Sequence, residues 1–492
     1  MGVATVKDVS ALGRADSWAG VRVVVAGFGA SGAAAVDNLL HLGATVHAVA
    51  DAASPAIMER AELLRVLGAR IDVHDGAAAT LPADADLLVV SPGFRPDAPI
   101  IAAAHDRGVP VWGEVELAWR LRDPEHPAPW LCVTGTNGKT TTVQMLDSIL
   151  RAAGLRSVAA GNVGLPLTEA VMDPEPYDVI AVELSSFQLH HTHTMAAESA
   201  AVLNVAEDHL DWYAGRMDDY ARDKGRIYHN VERACVYNVA DPRTEQLVRD
   251  ADVVEGARAI GFTLGTPGVG MLGVVDDILV DRAFIEQRST SAAELCTFDD
   301  LASTAPHFVA NALAAAALAR AHGISQVAVR DGLRAFRPDG HRIEVVAERD
   351  GVTWVDDSKA TNPHAAASSL AAFEPVVWIA GGLAKGAAFD DLVRSVGGRL
   401  RAAVLLGRDR RVIAQALSRH APDVPVIEVD TPETGAVGEL DLMRRVVAAA
   451  AQAAQRGDTV LLAPGCASMD QFTDYAARGD AFAAAVREHV SG

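Results

Sequence analysis

The sequence predicts an α/β protein of three domains in series, each a mainly parallel sheet with flanking helices. Short Val/Leu-rich runs alternate with helical patterns almost throughout, as in βαβ units wound around parallel sheets. Half of the residues are apolar but only 5% are aromatic, so the cores must be built from Ala, Val and Leu, which suits helices packed on buried strands. At 492 residues the chain also exceeds what one hydrophobic core organises.

In chain order, residues 23–26, 45–49 and 87–90 read as strands of a first domain over 1–122. It ends at the Pro-studded stretch Arg122-Asp-Pro-Glu-His-Pro-Ala-Pro129, a linker by composition. A central domain over 123–338 opens with strand 131–134 and includes strands 179–183 and 200–204 and an Ala-rich helix over 307–320. Residues 251–300 have weak periodicity and receive no assignment. The turn-rich Arg337-Pro-Asp-Gly340 leads into a third domain over 339–492, with strands at 352–356, 376–380, 402–406 and 459–463. There is no repeat period and no low-complexity tail.

Composition excludes several function classes. With 43 basic against 64 acidic residues, the net charge of −21 argues against general binding to nucleic acid or anionic membrane. An anionic ligand must then be held locally, by helix N-termini, a few Lys and Arg, or a metal. Cys132, Cys235, Cys296 and Cys466 lie far apart without CxxC spacing and read as isolated buried thiols of a reducing compartment. The N-terminus lacks the pattern of a signal peptide, and the longest apolar stretch, residues 23–36, is broken by glycines and too short to span a bilayer. The expectation is a cytoplasmic monomer.

The most informative segment is Leu131-Cys-Val-Thr-Gly-Thr-Asn-Gly-Lys-Thr140. A strand feeds a turn and a helix starts at once, with Val143, Leu146, Ile149, Leu150 and Ala153 on one face. Gly135, Thr136, Asn137, Gly138 and Thr141 then present backbone amides and hydroxyls to one spot, a cradle for phosphate oxygens. Lys139 reaches the β- and γ-phosphates and the Thr140 hydroxyl suits Mg²⁺, as in a phosphate-loop ATPase. The general Walker pattern has glycine where this chain has Val133, with Gly135 instead, so the loop is a variant. A plain tight turn would explain the glycines but not Gly-Lys-Thr between a strand and a helix. Glu183 closes strand 179–183 at the same sheet edge, and His209 follows the next strand. A lone His is more often structural, yet its position in a phosphate-binding sheet favours function. His190, His191 and His193 read as a polar helix end, not a metal site.

Gly27-Phe-Gly-Ala-Ser-Gly32 also joins a strand to a helix, with Asp51 ending the next strand. This Rossmann-like fingerprint suits a dinucleotide, and equally any nucleotide-linked diphosphate. Two phosphate sites suggest two phosphate-bearing substrates, ATP and a nucleotide-linked acceptor. An NAD-dependent oxidoreductase, a switch or motor ATPase and a non-catalytic nucleotide-binding module are the rival classes.

Taken together these segments resemble the Mur ligases, over essentially the whole chain. The matching stretches are Gly-Thr-Asn-Gly-Lys-Thr at 135–140, Gly-Asn-Val-Gly at 161–164, Glu-Leu-Ser-Ser-Phe-Gln at 183–188 and Asn-Val-Ala-Glu-Asp-His at 204–209. They continue with His341-Arg342-Ile-Glu344, Asp-Asp-Ser-Lys-Ala-Thr-Asn at 356–362 and Pro-Gly-Cys-Ala-Ser-Met-Asp-Gln-Phe at 464–472. The last two single out the D-glutamate-adding branch; the central loop alone would include folylpolyglutamate synthase. The resemblance implies a Rossmann-like C-terminal domain and a ligase of peptidoglycan precursor synthesis. ATP would phosphorylate the carboxylate of UDP-N-acetylmuramoyl-L-alanine, and the D-glutamate amine would displace phosphate.

By the same resemblance, catalysis falls to Lys139, Glu183, His209 and Lys224, with two Mg²⁺ sites drawn from Thr140, Glu183, His209 and Lys224. Lys224 would carry a CO₂-derived carbamate. Ala30, Ser31, Gly32, Asp51, Gly93, Asn162 and His209 would meet the UDP substrate, and Asn311, Arg342 and Asp357 the adenosine. D-Glutamate would meet Lys359, Thr361, Lys385, Ser468, Met469 and Tyr475. Two positions depart from the family pattern: Phe308 stands after His307 where the family has Asn, and Asp51 is followed by Ala52 and Ala53 without the usual Arg.

Overall fold

The computed structural model describes residues 9–52, 54–338, 340–429 and 438–491. The extreme N-terminus searched for a signal peptide, Ala53 after Asp51 and Asp339 of the 337–340 turn lie outside the described residues. Three sheets carry the chain. The first comprises β1 (Arg22–Ala26), β2 (Thr45–Ala50), β3 (Arg70–Val73), β4 (Leu87–Val90) and β5 (Val111–Gly113), all parallel in the order β3-β2-β1-β4-β5.

The second comprises β6 (Trp130–Thr134), β7 (Ser157–Gly161), β8 (Val179–Glu183), β9 (Ser199–Val202), β10 (Ala234–Asn238), β11 (Arg258–Phe262), β12 (Met271–Val275), β13 (Ile278–Asp281) and β14 (Ala293–Thr297). Its order is β14-β13-β12-β11-β10-β9-β6-β8-β7. The stretch without a sequence assignment, 251–300, thus extends this sheet, turning antiparallel at β12–β13–β14. The third sheet joins β15 (Glu344–Arg349), β16 (Val352–Asp356), β17 (Val376–Gly381), β18 (Leu400–Leu406), β19 (Val426–Glu428) and β20 (Thr459–Leu462) as β15-β16-β20-β17-β18-β19, antiparallel only at β15–β16.

The strands are parallel because helices return the chain over the sheet faces, and the apolar runs that made them legible are buried on both sides. All residues of β4, β6, β8 and β17 are buried. The Ala-rich helix Pro306–His322 is buried along most of its length against helix Lys139–Ala152 and the second sheet, small side chains letting the backbones approach closely. The four cysteines are free and buried, and burial raises the thiol pKa of each. Among the described residues no helix is long and apolar enough to cross a membrane.

The chain divides into two compact units, residues 1–205 with 218–336, and residues 206–217 with 337–492. The first two sheets share a unit, and buried polar groups bridge them alongside apolar packing of Val171 and Met172 on the first core. Glu114, 2% exposed, accepts hydrogen bonds from Thr168 N (2.7 Å) and Thr168 Oγ1 (3.0 Å). Glu116 accepts from the backbone N–H groups of His193 (2.8 Å) and Thr194 (2.9 Å). The His190–His193 stretch does end a helix, Ser186–His190, but His191 is buried, not a polar surface residue, and burial pulls its pKa down to about 3.

Candidate functional site

In the first unit β6 lies between β9 and β8, so the turn after it opens on the carboxyl edge of the sheet, where open α/β sheets bind ligands. The turn is held by Asn204 at the end of the β9 segment. Thr136 N donates to Asn204 O (3.0 Å), Asn137 N to Asn204 Oδ1 (2.9 Å), and Asn204 Nδ2 back to Asn137 O (3.1 Å). The Thr136 hydroxyl meets the Tyr220 hydroxyl at 3.0 Å. Gly138 caps helix Lys139–Ala152 with φ of +84°, and a Cβ there would collide with the Asn311 side-chain oxygen. Both features favour glycine at this position. The first-turn amides of the helix then face the crevice as an anion site.

Two lysines converge on this loop. Lys139 Nζ donates to Gly135 O and Thr136 O, both at 3.0 Å. Lys224 Nζ, on a side chain only 2% exposed, donates to the same Gly135 O at 2.9 Å and lies 4.6 Å above the Tyr220 ring. The Lys139 ammonium beside helix-terminal amides suits a polyphosphate, and Thr140 and Thr141 are buried beside it.

Glu183, 1% exposed at the end of neighbouring β8, accepts from Asn162 Nδ2 at 2.8 Å through Oε1. Its Oε2 is buried without a hydrogen-bond partner. A buried carboxylate oxygen left without a donor, one strand from the Thr140 hydroxyl, fits a hard divalent cation. Among the described residues no group of three or more His, Cys, Asp or Glu could hold a metal. Mg²⁺ fits this sparse set, because it takes one or two carboxylates and completes its shell from phosphate and water.

The first sheet reverses its order between β1 and β4, and the loops after these strands meet. Ser91 Oγ donates to Gly27 O at 3.2 Å, and a Cβ on Gly32 would collide with the same carbonyl. Ala30, Ser31 and Gly32 therefore begin helix Ala30–His41 at the switch point, with Gly93 on the β4 loop. Asp51 ends the β2 segment, exposed, accepting from Ala78 N at 3.1 Å.

In the second unit the remaining candidates cluster on the carboxyl edge of the third sheet. Lys359 and Thr361 follow β16, Lys385 follows β17, and Ser468 and Met469 follow β20, three adjacent strands. Tyr475 starts helix Tyr475–Ser491, and Lys359 Nζ lies 4.9 Å above its ring. Ser468 is buried, whereas Lys385 and Met469 are exposed. Asp357, buried beside the Arg342 charge and hydrogen-bonded to the Ser369 hydroxyl, has its pKa pushed up to about 6 by burial. His209 belongs to this unit with φ of +53°, on a segment tied by Asn362 Nδ2 donating to Asp208 Oδ2 at 3.3 Å.

The structure thus gathers 135–141, Asn162, Glu183, Lys224 and Asn311 in the first unit, and His209, Arg342, Asp357 and the amino-acid candidates in the second. Phe308 is buried, its ring 6.1 Å from that of Phe336 in the core. Asn204 and Tyr220 lie inside the sequence motifs, but their bracing of the loop depends on contacts that no local pattern encodes. The same holds for the buried Arg478, whose partners lie 12 and 120 residues away.

Comparison with known proteins agrees with this geometry. The Mur ligase MurD-like N-terminal domain matches residues 21–113, the Mur ligase middle domain 133–319, and the Mur ligase glutamate ligase domain 341–466. A UDP-N-acetylmuramoylalanine–D-glutamate ligase of Streptomyces avermitilis is 59% identical, covering 96% of this chain and 99% of its own. The protein of the same name from Leifsonia xyli is 51% identical over 96% of this chain and 94% of its own. Among solved structures, the UDP-N-acetylmuramate-alanine ligase of Thermotoga maritima superposes with a TM-score of 0.56 at 19% identity, covering 95% of this chain and 99% of that one, which supports the fold. With three family domains in register and full-length relatives at such identity, the chain belongs to the Mur ligase family.

Proposed function

We propose that the protein is an ATP-dependent acid–amino-acid ligase that adds D-glutamate to UDP-N-acetylmuramoyl-L-alanine through an acyl phosphate, in peptidoglycan precursor synthesis. The observation that carries this reading is the full-length identity to ligases of that name, joined to a loop whose glycines, lysines and threonines suit a nucleotide triphosphate. Residues 1–122 would take the UDP substrate, 123–338 ATP and 339–492 the amino acid. A cytoplasmic monomer without nucleic-acid partners completes the reading.

The chemistry is mainly electrostatic and positional. An oxygen of the alanyl carboxylate attacks the γ-phosphorus of ATP and ADP leaves. The D-glutamate amine then attacks the acyl carbon, loses a proton, and phosphate departs with the carboxylate oxygen. The helix N-terminus and Lys139 stabilise charge developing on the transferred phosphoryl group. Asn162 holds Glu183 in place through its amide. Thr140 and Glu183 would hold Mg²⁺, which when bound screens phosphate charge and orients the oxygens. Lys359, Lys385, Thr361 and Ser468 offer cations and hydroxyls to a dicarboxylate, with Tyr475 and Met469 beside them.

Lys224 is read here as carbamylated. As an ammonium it would crowd a second cation, Lys139, onto one carbonyl oxygen; as a carbamate it becomes an oxygen donor of the kind Mg²⁺ prefers. Acetate or formate should restore part of the activity that Lys224→Ala loses, and full activity of that variant without additive would refute the role. The acyl phosphate is tested with UDP-N-acetylmuramoyl-L-alanine labelled by ¹⁸O in its carboxylate. One label should appear in the released phosphate; unlabelled phosphate would refute the pathway.

A further inference from the structure

Arg478, within helix Tyr475–Ser491, is among the largest fully buried side chains of the described residues, at 1% exposure. Its Nε donates to Ser358 Oγ (2.9 Å), its Nη2 to Ser358 O (2.8 Å) and its Nη1 to Cys466 O (3.1 Å). Ser358 Oγ donates onward to Tyr475 O at 2.7 Å. One rigid fork therefore binds the loop after β16, the loop after β20 and the start of its own helix. Burying a cation is costly, and burial draws the Arg478 pKa down to about 10. A methionine or leucine would fill the same volume without that cost, so the charge is explained by the geometry of its five donors.

That geometry ends at the amino-acid candidates. Lys359 follows Ser358 directly and Thr361 lies three residues on; Ser468 lies two residues after Cys466; Tyr475, whose carbonyl takes the Ser358 hydroxyl, stacks under Lys359. The β17 loop bearing Lys385 is stitched to the same assembly by Leu383 N to Ala467 O (2.8 Å) and Ala467 N to Leu383 O (3.0 Å). Next to Arg478, Gly479 lets the helix approach closely, since a Cβ there would collide with His341 and Asp356.

We infer that Arg478 is a positioning residue for the amino-acid substrate: it sets the spacing between the 358–361 and 466–468 loops so that their cations and hydroxyls match a dicarboxylate. This rests on the proposed D-glutamate reading of those loops. Lysine cannot replace it, because a single ammonium does not span three acceptors in one plane.

The test uses the full chain with Arg478→Met and Arg478→Lys. KM for D-glutamate should rise roughly tenfold or more in both, as for loss of charged hydrogen bonds, while KM for ATP and for UDP-N-acetylmuramoyl-L-alanine stays within about twofold. Equal rises in all three constants, an unchanged D-glutamate KM, or full rescue by lysine would overturn it. If Arg478→Met does not fold, Arg478→Lys decides the question. Hydrogen exchange of 357–361 and 466–468 should accelerate in Arg478→Lys more than in the rest of the sheet. This readout stands even if the wild type does not use D-glutamate, so it separates failure of the clamp from failure of the functional reading.

Discussion

Glu114 shows how much a single residue's environment decides. Burial pushes its carboxyl pKa up to about 7 against the opposing hydrogen bonds from Thr168, and its Oε2 has no partner. A raised carboxyl favours the folded state in its protonated form. Its contribution is therefore full below the ordinary value of 4.5 and is lost as pH rises to about 7. A shift of this size corresponds to about 3 kcal/mol. Glu114→Gln should flatten the fall of Tm between about pH 5 and 8 relative to wild type, and parallel curves would show that the group titrates normally. Lys139 belongs to the opposite class: it touches the loop rather than a core, so Lys139→Ala should lose about 10²–10³-fold in kcat with Tm nearly unchanged. Residual turnover near wild type would remove it from the mechanism. The placement of Lys139 and Glu183 at one sheet edge was legible because it follows from local order: strand, turn, helix and strand end. Glu114 and Arg478 were not, because their partners at Thr168 and Ser358 are 54 and 120 residues away, which no local pattern encodes.

Among the elements, strands with unbroken apolar runs declared themselves. Residues 87–90, 179–183 and 352–356 are strands over those same bounds. β12 to β14 did not, since these strands are only four or five residues long and exposed Val275 and Glu294 break the pattern of β12 and β14. The C-terminal helix Tyr475–Ser491 offers a test where two effects oppose. Alanine for Gly479 should favour the helix by about 1 kcal/mol from propensity alone. The added Cβ, however, would strike His341 and Asp356, whose side chains pair at 2.6 Å. Overpacking of this kind costs about 1–3 kcal/mol, so Gly479→Ala should lower Tm. A rise would mean that the helix moves freely against the sheet.

At the scale of the whole molecule, the three sheets legible in the sequence fold as two compact units, a grouping made by contacts between residues far apart in sequence, such as Glu114 with Thr168, rather than by periodicity. The candidates sort by unit, and so should ligand protection. UDP-N-acetylmuramoyl-L-alanine should slow hydrogen exchange in the loops after β1 and β4, and D-glutamate in 357–361 and 466–468. Protection of the same peptides by both ligands would break this assignment. The central claim is D-glutamate ligation, and the measurement that bears on it most directly is phosphate release from ATP with UDP-N-acetylmuramoyl-L-alanine and a panel of amino acids, the nucleotide product weighed by mass spectrometry. Phosphate release should depend on D-glutamate, with a product heavier than the acceptor by one glutamyl residue. Release without an amino acid, or equal product with L-glutamate or glycine, would contradict it.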